Sequence, residues 1–184
     1  MERITFGFNE AIGVRVGLEF FSKEFPGERI GVIGVSLGAA AFVLSAPDPA
    51  PDAAVLESMF PAINDAVADR LAIYLGPLGV KLTPLLVWQL PIRTGISPDQ
   101  IRPIQALASL HMPVLIAAGN LDRHTGIEET KRLFSAANEP KELWIVEGAA
   151  HEDLYAFDPN ANKSRISSFL ARYLSTGLVK TTSF

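Results

Sequence analysis

The sequence has 184 residues, which is enough for one domain with a hydrophobic core. Hydrophobic residues make up 48% of it and charged residues 20%, which indicates a globular protein rather than a disordered one. A net charge of −4 without a basic stripe argues against nucleic acid as a partner, and the absence of cysteine excludes disulfides, thiol catalysis and cysteine-ligated zinc.

The first third of the chain predicts alternating helices and strands. Apolar residues at helical spacing over residues 9–25 predict a helix with Asn9 as its N-cap. The run RIGVIGV, residues 29–35, is rich in β-branched residues and predicts a parallel strand that is buried on both faces. A helix should follow from Leu37, and AAVLES at 53–58 predicts a second buried strand.

The stretch from about 60 to 106 is apolar and helical in pattern, and it has no strand signal. Its prolines are expected to cut it into short pieces; they are Pro77, Pro84, Pro91, Pro98 and Pro103. We interpret residues 60–106 as a helical cap insertion that lies over the sheet, within a single domain spanning residues 1–184.

The rest of the chain continues the alternation. PVLIAAG at 113–119 and ELWIVEG at 142–148 predict two more strands. Thr125 and Glu128 predict a capping box for a helix that reaches about Ala137. A final amphipathic helix is indicated by Ile166, Phe169, Leu170, Tyr173 and Leu174. This order predicts an α/β fold with a doubly wound, mostly parallel sheet.

A serine stands between two glycines where the first strand is predicted to turn into a helix. Gly34, Ser36 and Gly38 form the pattern Gly-x-Ser-x-Gly. If Ser36 lies at the tip of a strained turn, both glycines are required because larger side chains would collide there. The hydroxyl would then be exposed at a helix N-terminus, which favours developing negative charge. A serine in an ordinary tight turn is the alternative.

Two further residues complete a constellation for nucleophilic catalysis. Asp122 comes three residues after Gly119, and His151 comes three residues after Gly148, so each follows its own predicted strand. Functional groups gather beyond the carboxyl ends of strands in open α/β sheets. Serine needs a base and an orienting acid, and the order Ser36, Asp122, His151 supplies both. Taken singly, Asp122 and His151 could each be an ordinary loop residue.

Other ionisable residues give weaker signals. Glu57 ends the second strand and is the second choice for the acid. His124 either borders the site or belongs to loop structure, and His111 is expected to be structural. We expect no metal, since Asp122 with His124 makes at most half a site, and no cofactor, since phosphate-loop and dinucleotide motifs are absent.

The chain carries no signal for a membrane. Its most apolar stretch, residues 82–92, contains two prolines and is shorter than the roughly 20 residues that span a bilayer. The N-terminal MERITFGFNE is too polar for a signal peptide. We therefore expect a cytoplasmic protein without a membrane partner.

The motifs GVSLGAA, LESMFP, GNLDRHT and GAAHEDL stand where the α/β-hydrolase superfamily would place them, and the sequence resembles that superfamily over nearly its whole length. It looks most similar to bacterial hydrolases with a helical cap. The resemblance implies an esterase-like serine hydrolase that acts on a small acyl ester or a related acyl bond, with acyl transfer and peptide cleavage as alternatives that use the same triad. Ser36 would attack the acyl carbonyl, His151 would carry the proton, and Asp122 would orient the imidazole. The Leu37 amide would be one oxyanion donor.

The sequence departs from this superfamily at its beginning. The nucleophile is only the thirty-sixth residue, so the family's first strands and the loop with the second oxyanion donor are expected to be absent. The edge of strand RIGVIGV should then be exposed, and either a partner chain covers it or the chain is part of a longer protein. The alternative function is an impaired hydrolase fragment that acts as an interaction or homo-oligomerisation module through this edge.

Overall fold

The computed structural model of the protein describes residues 4–175, so both ends of the predicted 1–184 domain lie outside the described residues. Within that range the strands are β1 (Gly31–Val35), β2 (Ala53–Glu57), β3 (Val114–Gly119) and β4 (Lys141–Val146). The helices are α1 (Glu10–Glu24), α2 (Leu37–Leu44), α3 (Ile63–Leu75), α4 (Pro77–Trp88), α5 (Leu90–Thr94), α6 (Pro103–Leu107), α7 (Ile127–Ala136), α8 (Leu154–Phe157) and α9 (Pro159–Leu174).

The four strands form one parallel sheet whose spatial order, β1-β2-β3-β4, follows the chain. In the register of this sheet Val55 lies between Ile33 and Leu115. Helices cover both faces, as alternating burial along β2 requires. Ala54 and Leu56 pack with residues of α1, α2, α6 and α7, whereas Ala53 and Val55 pack against α9. The predicted α/β fold with a doubly wound parallel sheet is therefore confirmed.

The prediction that β1 is buried on both faces is wrong. β1 lies at the end of the sheet and pairs only with β2 among the described strands. Ile33 and Val35 point to the face that α9 covers, but they remain 53% and 47% exposed. The apolar pattern predicts a strand of a parallel sheet correctly, and it cannot tell an edge strand from a central one.

Between β2 and β3 the described chain is helical, with α3 to α6 and a 3-10 turn at Pro98–Gln100. The start of α3 joins the main core through Ile63, while α4 packs on α3. Four of the five prolines stand in the first turn of a helix, where the missing amide costs no hydrogen bond.

Pro84 departs from the expectation that each proline ends a helix, because it lies inside α4. It deprives the Val80 carbonyl of its hydrogen bond one turn earlier. Both residues are exposed, so water can hydrogen-bond that carbonyl in place of the missing amide.

One predicted helix cap lacks its expected hydrogen bond, and another is wrong. Asn9 occupies the N-cap position of α1 as predicted, but its side chain makes no capping hydrogen bond; the Glu10 carboxylate instead accepts from the amides of Thr5 and Gly7. Helix α7 is capped at Gly126 rather than at Thr125, whose hydroxyl is bonded elsewhere. None of the helices in residues 4–175 is both long enough and apolar enough to cross a bilayer.

Candidate active site

Ser36 occupies a sharp turn between β1 and α2. Its backbone has φ 49° and ψ −113°, a conformation that residues with a side chain rarely adopt. The turn is held to the sheet by the Ser36 amide, which donates to the carbonyl of Glu57 at 2.8 Å. Because β1 ends just before Ser36 and α2 begins just after it, the hydroxyl lies at the carboxyl edge of the sheet and at the start of α2.

The two neighbouring glycines have different roles. A Cβ on Gly34 would lie 2.7 Å from the Cα of Ala39 and 2.9 Å from its amide nitrogen. Glycine is therefore required at position 34, because the backbone of α2 lies too close for any side chain. A Cβ on Gly38 would meet no atom within 4 Å, so the expectation of a collision there is wrong for the described chain. Gly38 is exposed, because none of the described elements covers that side of α2.

The structure brings the side chains of Ser36, His151 and Asp122 together. Ser36 Oγ lies 3.3 Å from His151 Nε2, and His151 Nδ1 lies 2.8 Å from Asp122 Oδ2. Burial increases along this series: the His151 side chain is 24% exposed and that of Asp122 is fully buried. With the proton on Nδ1, His151 donates to Asp122 and presents the Nε2 lone pair to the serine hydroxyl.

Asp122 is held by donors from its own loop. Its Oδ1 accepts from the amides of His124 at 2.8 Å and Thr125 at 2.9 Å, and its Oδ2 accepts from the Thr125 hydroxyl at 2.7 Å as well as from His151. Burial alone would raise the pKa of Asp122, but the hydrogen bonds from His151, Thr125 and His124 outweigh it and lower that pKa to about 2. The carboxylate is therefore ionised at neutral pH and able to stabilise a protonated imidazole.

Thr125 was missed as a site residue, since its spacing to Glu128 matches a helix cap equally well. The usable signal is its place three residues after Asp122, where a threonine can close a turn onto the preceding aspartate.

The weaker candidates are also placed by the structure. His124 is at the site, with its ring centre 4.9 Å from that of His151, whereas His111 is exposed ahead of β3. Glu57 is buried and accepts a hydrogen bond from Asn162 at 3.3 Å; burial raises its pKa. The carboxylate bonded to His151 is that of Asp122, as first predicted, and not that of Glu57.

Leu37 is the first residue of α2, so its amide has no carbonyl one turn earlier in the helix to donate to. That leaves the amide available beside the hydroxyl of Ser36. Among residues 4–175, no three histidine or carboxylate side chains lie close enough to share a metal ion.

Near the Asp122 loop, an acidic side chain of α3 contacts an acidic side chain of α7. Asp69 of α3 faces Glu129 of α7, and Arg132 bridges Glu129 to Asp65. Burial and the neighbouring Asp69 raise the pKa of Glu129 to about 8, so that the pair shares a proton at neutral pH. Sequence reasoning missed this contact, because about 60 residues separate the partners.

No protein-family model matches the sequence. Two uncharacterized proteins of Mycobacterium tuberculosis, from two strains, are each 34% identical to it over 142 residues, which is 77% of this chain and 44% of theirs. The chain thus spans less than half the length of the curated relatives it matches.

Solved structures resemble the described fold closely. An esterase of Pyrococcus furiosus superposes with a TM-score of 0.71 at 24% identity, covering 95% of this chain and 66% of its own. The esterase domain of a Rhodothermus marinus protein gives a TM-score of 0.66 at 21% identity, with 90% and 69% covered. The α/β hydrolase GrgF of a Penicillium species gives 0.62 at 21% identity, with 91% and 72% covered.

The chain has part of an α/β-hydrolase fold. The carboxyl ends of the four parallel strands lie at one edge of the sheet, with β2 between β1 and β3, and the loops after β1, β3 and β4 carry Ser36, Asp122 and His151 respectively.

Proposed function

We propose that this chain carries the catalytic residues of a serine hydrolase that cleaves a small acyl ester. The observation that supports it best is the continuous series of contacts from Ser36 Oγ through His151 to the buried carboxylate of Asp122. The esterases among its structural neighbours support an ester as the substrate class.

The chemistry follows from the position of each group. Ser36 Oγ attacks the acyl carbonyl while His151 Nε2 takes the hydroxyl proton, and the negative oxygen that forms is met by the Leu37 amide. His151 then gives the proton to the leaving alkoxide, which departs as an alcohol and leaves an acyl ester on Ser36. Water then attacks the acyl carbon while His151 Nε2 takes one of its protons. His151 gives that proton to Ser36 Oγ as the acyl bond breaks, which releases the carboxylic acid and the free serine.

Asp122 does not need to take a proton in this sequence. Its pKa of about 2 keeps it ionised, and it holds the proton of His151 on Nδ1, so that Nε2 is the nitrogen facing Ser36. The 3.3 Å separation of Ser36 Oγ and His151 Nε2 is long for a hydrogen bond between these groups, as is common in catalytic sites without a substrate.

The insertion between β2 and β3 presents an apolar surface suited to an acyl chain. Helices α3 and α4 leave several large hydrophobic side chains exposed, among them Tyr74, Leu78, Leu85 and Trp88. A groove of about 600 Å³ between the two helices is lined by Val80, Val87 and Trp88, and it does not include Ser36. We propose that the exposed apolar side chains of the insertion, rather than the groove between its two helices, bind the acyl group.

Hydrolysis of p-nitrophenyl esters of increasing acyl length tests the proposal. Ser36→Ala should lower kcat at least about 1000-fold, since removal of a triad nucleophile leaves only the contribution of binding and oxyanion donors. Ser135→Ala is the matched control: Ser135 is an exposed serine on α7 whose hydroxyl donates to the Lys131 carbonyl, and its loss should leave the rate unchanged. Equal rates for wild type and Ser36→Ala would refute the proposal.

The exposed edge of β1 favours a second candidate function, an interaction module that pairs with another copy of the chain. The outer edge of β1 has no partner strand among the described residues, and Ile33 and Val35 stand exposed beside it. A free strand edge of this kind presents unpaired backbone amides and carbonyls that can hydrogen-bond a strand of another chain.

Sedimentation equilibrium tests this second candidate. If β1 pairs with a second copy, wild type should sediment as a dimer and Ile33→Lys as a monomer, because a lysine blocks edge pairing. Tyr74→Lys is the control, since it replaces another exposed large hydrophobic side chain, on α3, and should leave the dimer intact. A monomeric wild type at all concentrations would exclude this function.

A further inference from the structure

The imidazole of His124 packs against the imidazole of His151. The ring centres are 4.9 Å apart and the planes meet at 64°, an edge-to-face arrangement. His124 is half-buried, and its Nδ1 is fully buried without a hydrogen-bond partner in residues 4–175. None of residues 4–175 satisfies that nitrogen, so within the described chain the ring is held at this position by packing rather than by a hydrogen bond of its own.

The backbone of His124 is tied to the third member of the same series. Its amide donates to Asp122 Oδ1 at 2.8 Å, while His151 bonds the other oxygen of that carboxylate. His124 therefore contacts Asp122 through its main chain and His151 through its side chain. A movement of the Asp122 loop would displace both the acid and the ring that borders the base.

The surroundings of His124 keep its ring neutral. Burial lowers the pKa of His124, and the positive charges of Arg70 on α3 and of Arg123, together with His151, lower it further, whereas Asp122 acts in the opposite direction. A neutral ring does not repel the imidazolium that His151 becomes during catalysis. A permanently charged group at the same place would.

We propose that His124 is a positioning residue: its imidazole packs against the ring of His151 and holds it, so that Nε2 stays directed at Ser36 while Nδ1 stays bonded to Asp122. The inference rests on the proposed hydrolase function and assigns a role within it. The hydrogen bond to Asp122 fixes one end of the His151 ring, and the long contact to Ser36 restrains the other end weakly. Lateral packing by His124 supplies the restraint that these two contacts leave out.

Three substitutions separate packing from charge. His124→Phe keeps a flat ring in the same space, His124→Ala removes it, and His124→Arg adds a fixed positive charge. His111→Ala is the matched control, because His111 is an exposed histidine away from the site. The chain has three histidines, so each imidazole signal in a nuclear magnetic resonance spectrum of the untagged protein can be assigned by substitution.

The first measurement is the rate at which a fluorophosphonate labels Ser36. His124→Ala should slow labelling about tenfold, as small misplacements of catalytic groups do, and His124→Phe should stay within about twofold of wild type. The same assay on His124→Arg should show slower labelling than on His124→Phe, because a fixed positive charge repels the imidazolium that His151 becomes, and His111→Ala should label like wild type. The second measurement is proton exchange at His151 Nδ1, which should be faster in His124→Ala than in wild type or His124→Phe.

The outcomes distinguish this inference from the proposed function. Equal labelling rates and equal Nδ1 exchange in wild type and His124→Ala would overturn the positioning role. Equal losses in His124→Phe and His124→Ala would also overturn it, since the nitrogen atoms would then matter rather than the packing. A wild type that never labels at Ser36 would count against the hydrolase function, while the exchange measurement would still decide whether His124 restrains His151.

Discussion

Thr125→Val tests whether the Asp122 loop is built around an ionised carboxylate. The Thr125 hydroxyl donates to Asp122 Oδ2 at 2.7 Å, and Thr125 is only 2% exposed. Valine has nearly the same volume, so the substitution removes the hydroxyl without opening a cavity. Asp122 then stays buried with one donor fewer.

The expected loss can be worked out from the shift of Asp122. Its pKa of about 2 lies below the ordinary value of 3.8, a difference of about 1.8 units, and this corresponds to roughly 2.4 kcal/mol from all donors after the cost of burial. A single hydrogen bond to a charged group contributes about 1.5–3 kcal/mol. We expect Thr125→Val to lower the free energy of unfolding by about 2 kcal/mol and Tm by about 6 °C.

The sign of the pH dependence follows from the depressed pKa. The stabilisation is fully present above the unfolded-state pKa near 4 and is lost as the pH falls through the folded-state value near 2. The difference between wild type and variant should therefore be constant from pH 5 to pH 8.

Thermal unfolding followed by circular dichroism measures the effect, with Thr130→Val as the control. Thr130 is also 2% exposed, and its hydroxyl donates to the Gly126 carbonyl, which keeps its bond from the Thr130 amide after substitution. Thr130→Val should cost less than about 1 kcal/mol, since both partners are uncharged. If the two variants lose the same stability, the Thr125 hydroxyl does not hold Asp122.

Two further predictions concern the serine turn and the acidic pair. Gly34→Ala should lower the free energy of unfolding, measured in urea, by about 2 kcal/mol or more, because its Cβ would lie 2.7 Å from the Ala39 backbone. Gly38→Ala should be neutral or slightly stabilising in the same assay. Equal losses in the two variants would contradict the turn geometry. In the folded protein Glu129, beside Asp69, keeps its proton up to about pH 8, whereas in the unfolded chain it loses that proton above about pH 4.5. The folded protein should therefore lose stability as the pH rises between these values, and Glu129→Gln should remove that loss. The drop in Tm between pH 5 and pH 8 should be smaller in this variant, and an unchanged drop would refute the raised pKa.

Local pattern was enough to predict the sheet and the residues that follow its strands. The apolar runs that become β1 to β4 are short and bounded by glycine, proline or polar residues, so their order and type could be read along the chain. Ser36, Asp122 and His151 could be singled out because each lies in the few residues that follow such a run. Parallel strands place their carboxyl ends at one edge, which is why residues more than 80 positions apart in sequence meet there.

Other features depend on contacts between distant parts of the chain. The exposure of Ile33, the open space beside Gly38 and the pairing of Asp69 with Glu129 depend on which element lies opposite, and no local pattern encodes that. Thr125 shows a different difficulty: its spacing satisfied a helix-capping pattern, but in the structure the charged, buried Asp122 carboxylate takes its hydroxyl as a partner.

The most direct test of the central claim is labelling of the 184-residue chain with a fluorophosphonate, read by intact mass. The reagent reacts with a serine only when a base activates the hydroxyl and an oxyanion site receives the phosphoryl oxygen. The account predicts one adduct on wild type, none on Ser36→Ala, and strongly slowed labelling on His151→Gln. A folded wild type that gains no adduct, or an adduct that persists in Ser36→Ala, would contradict it.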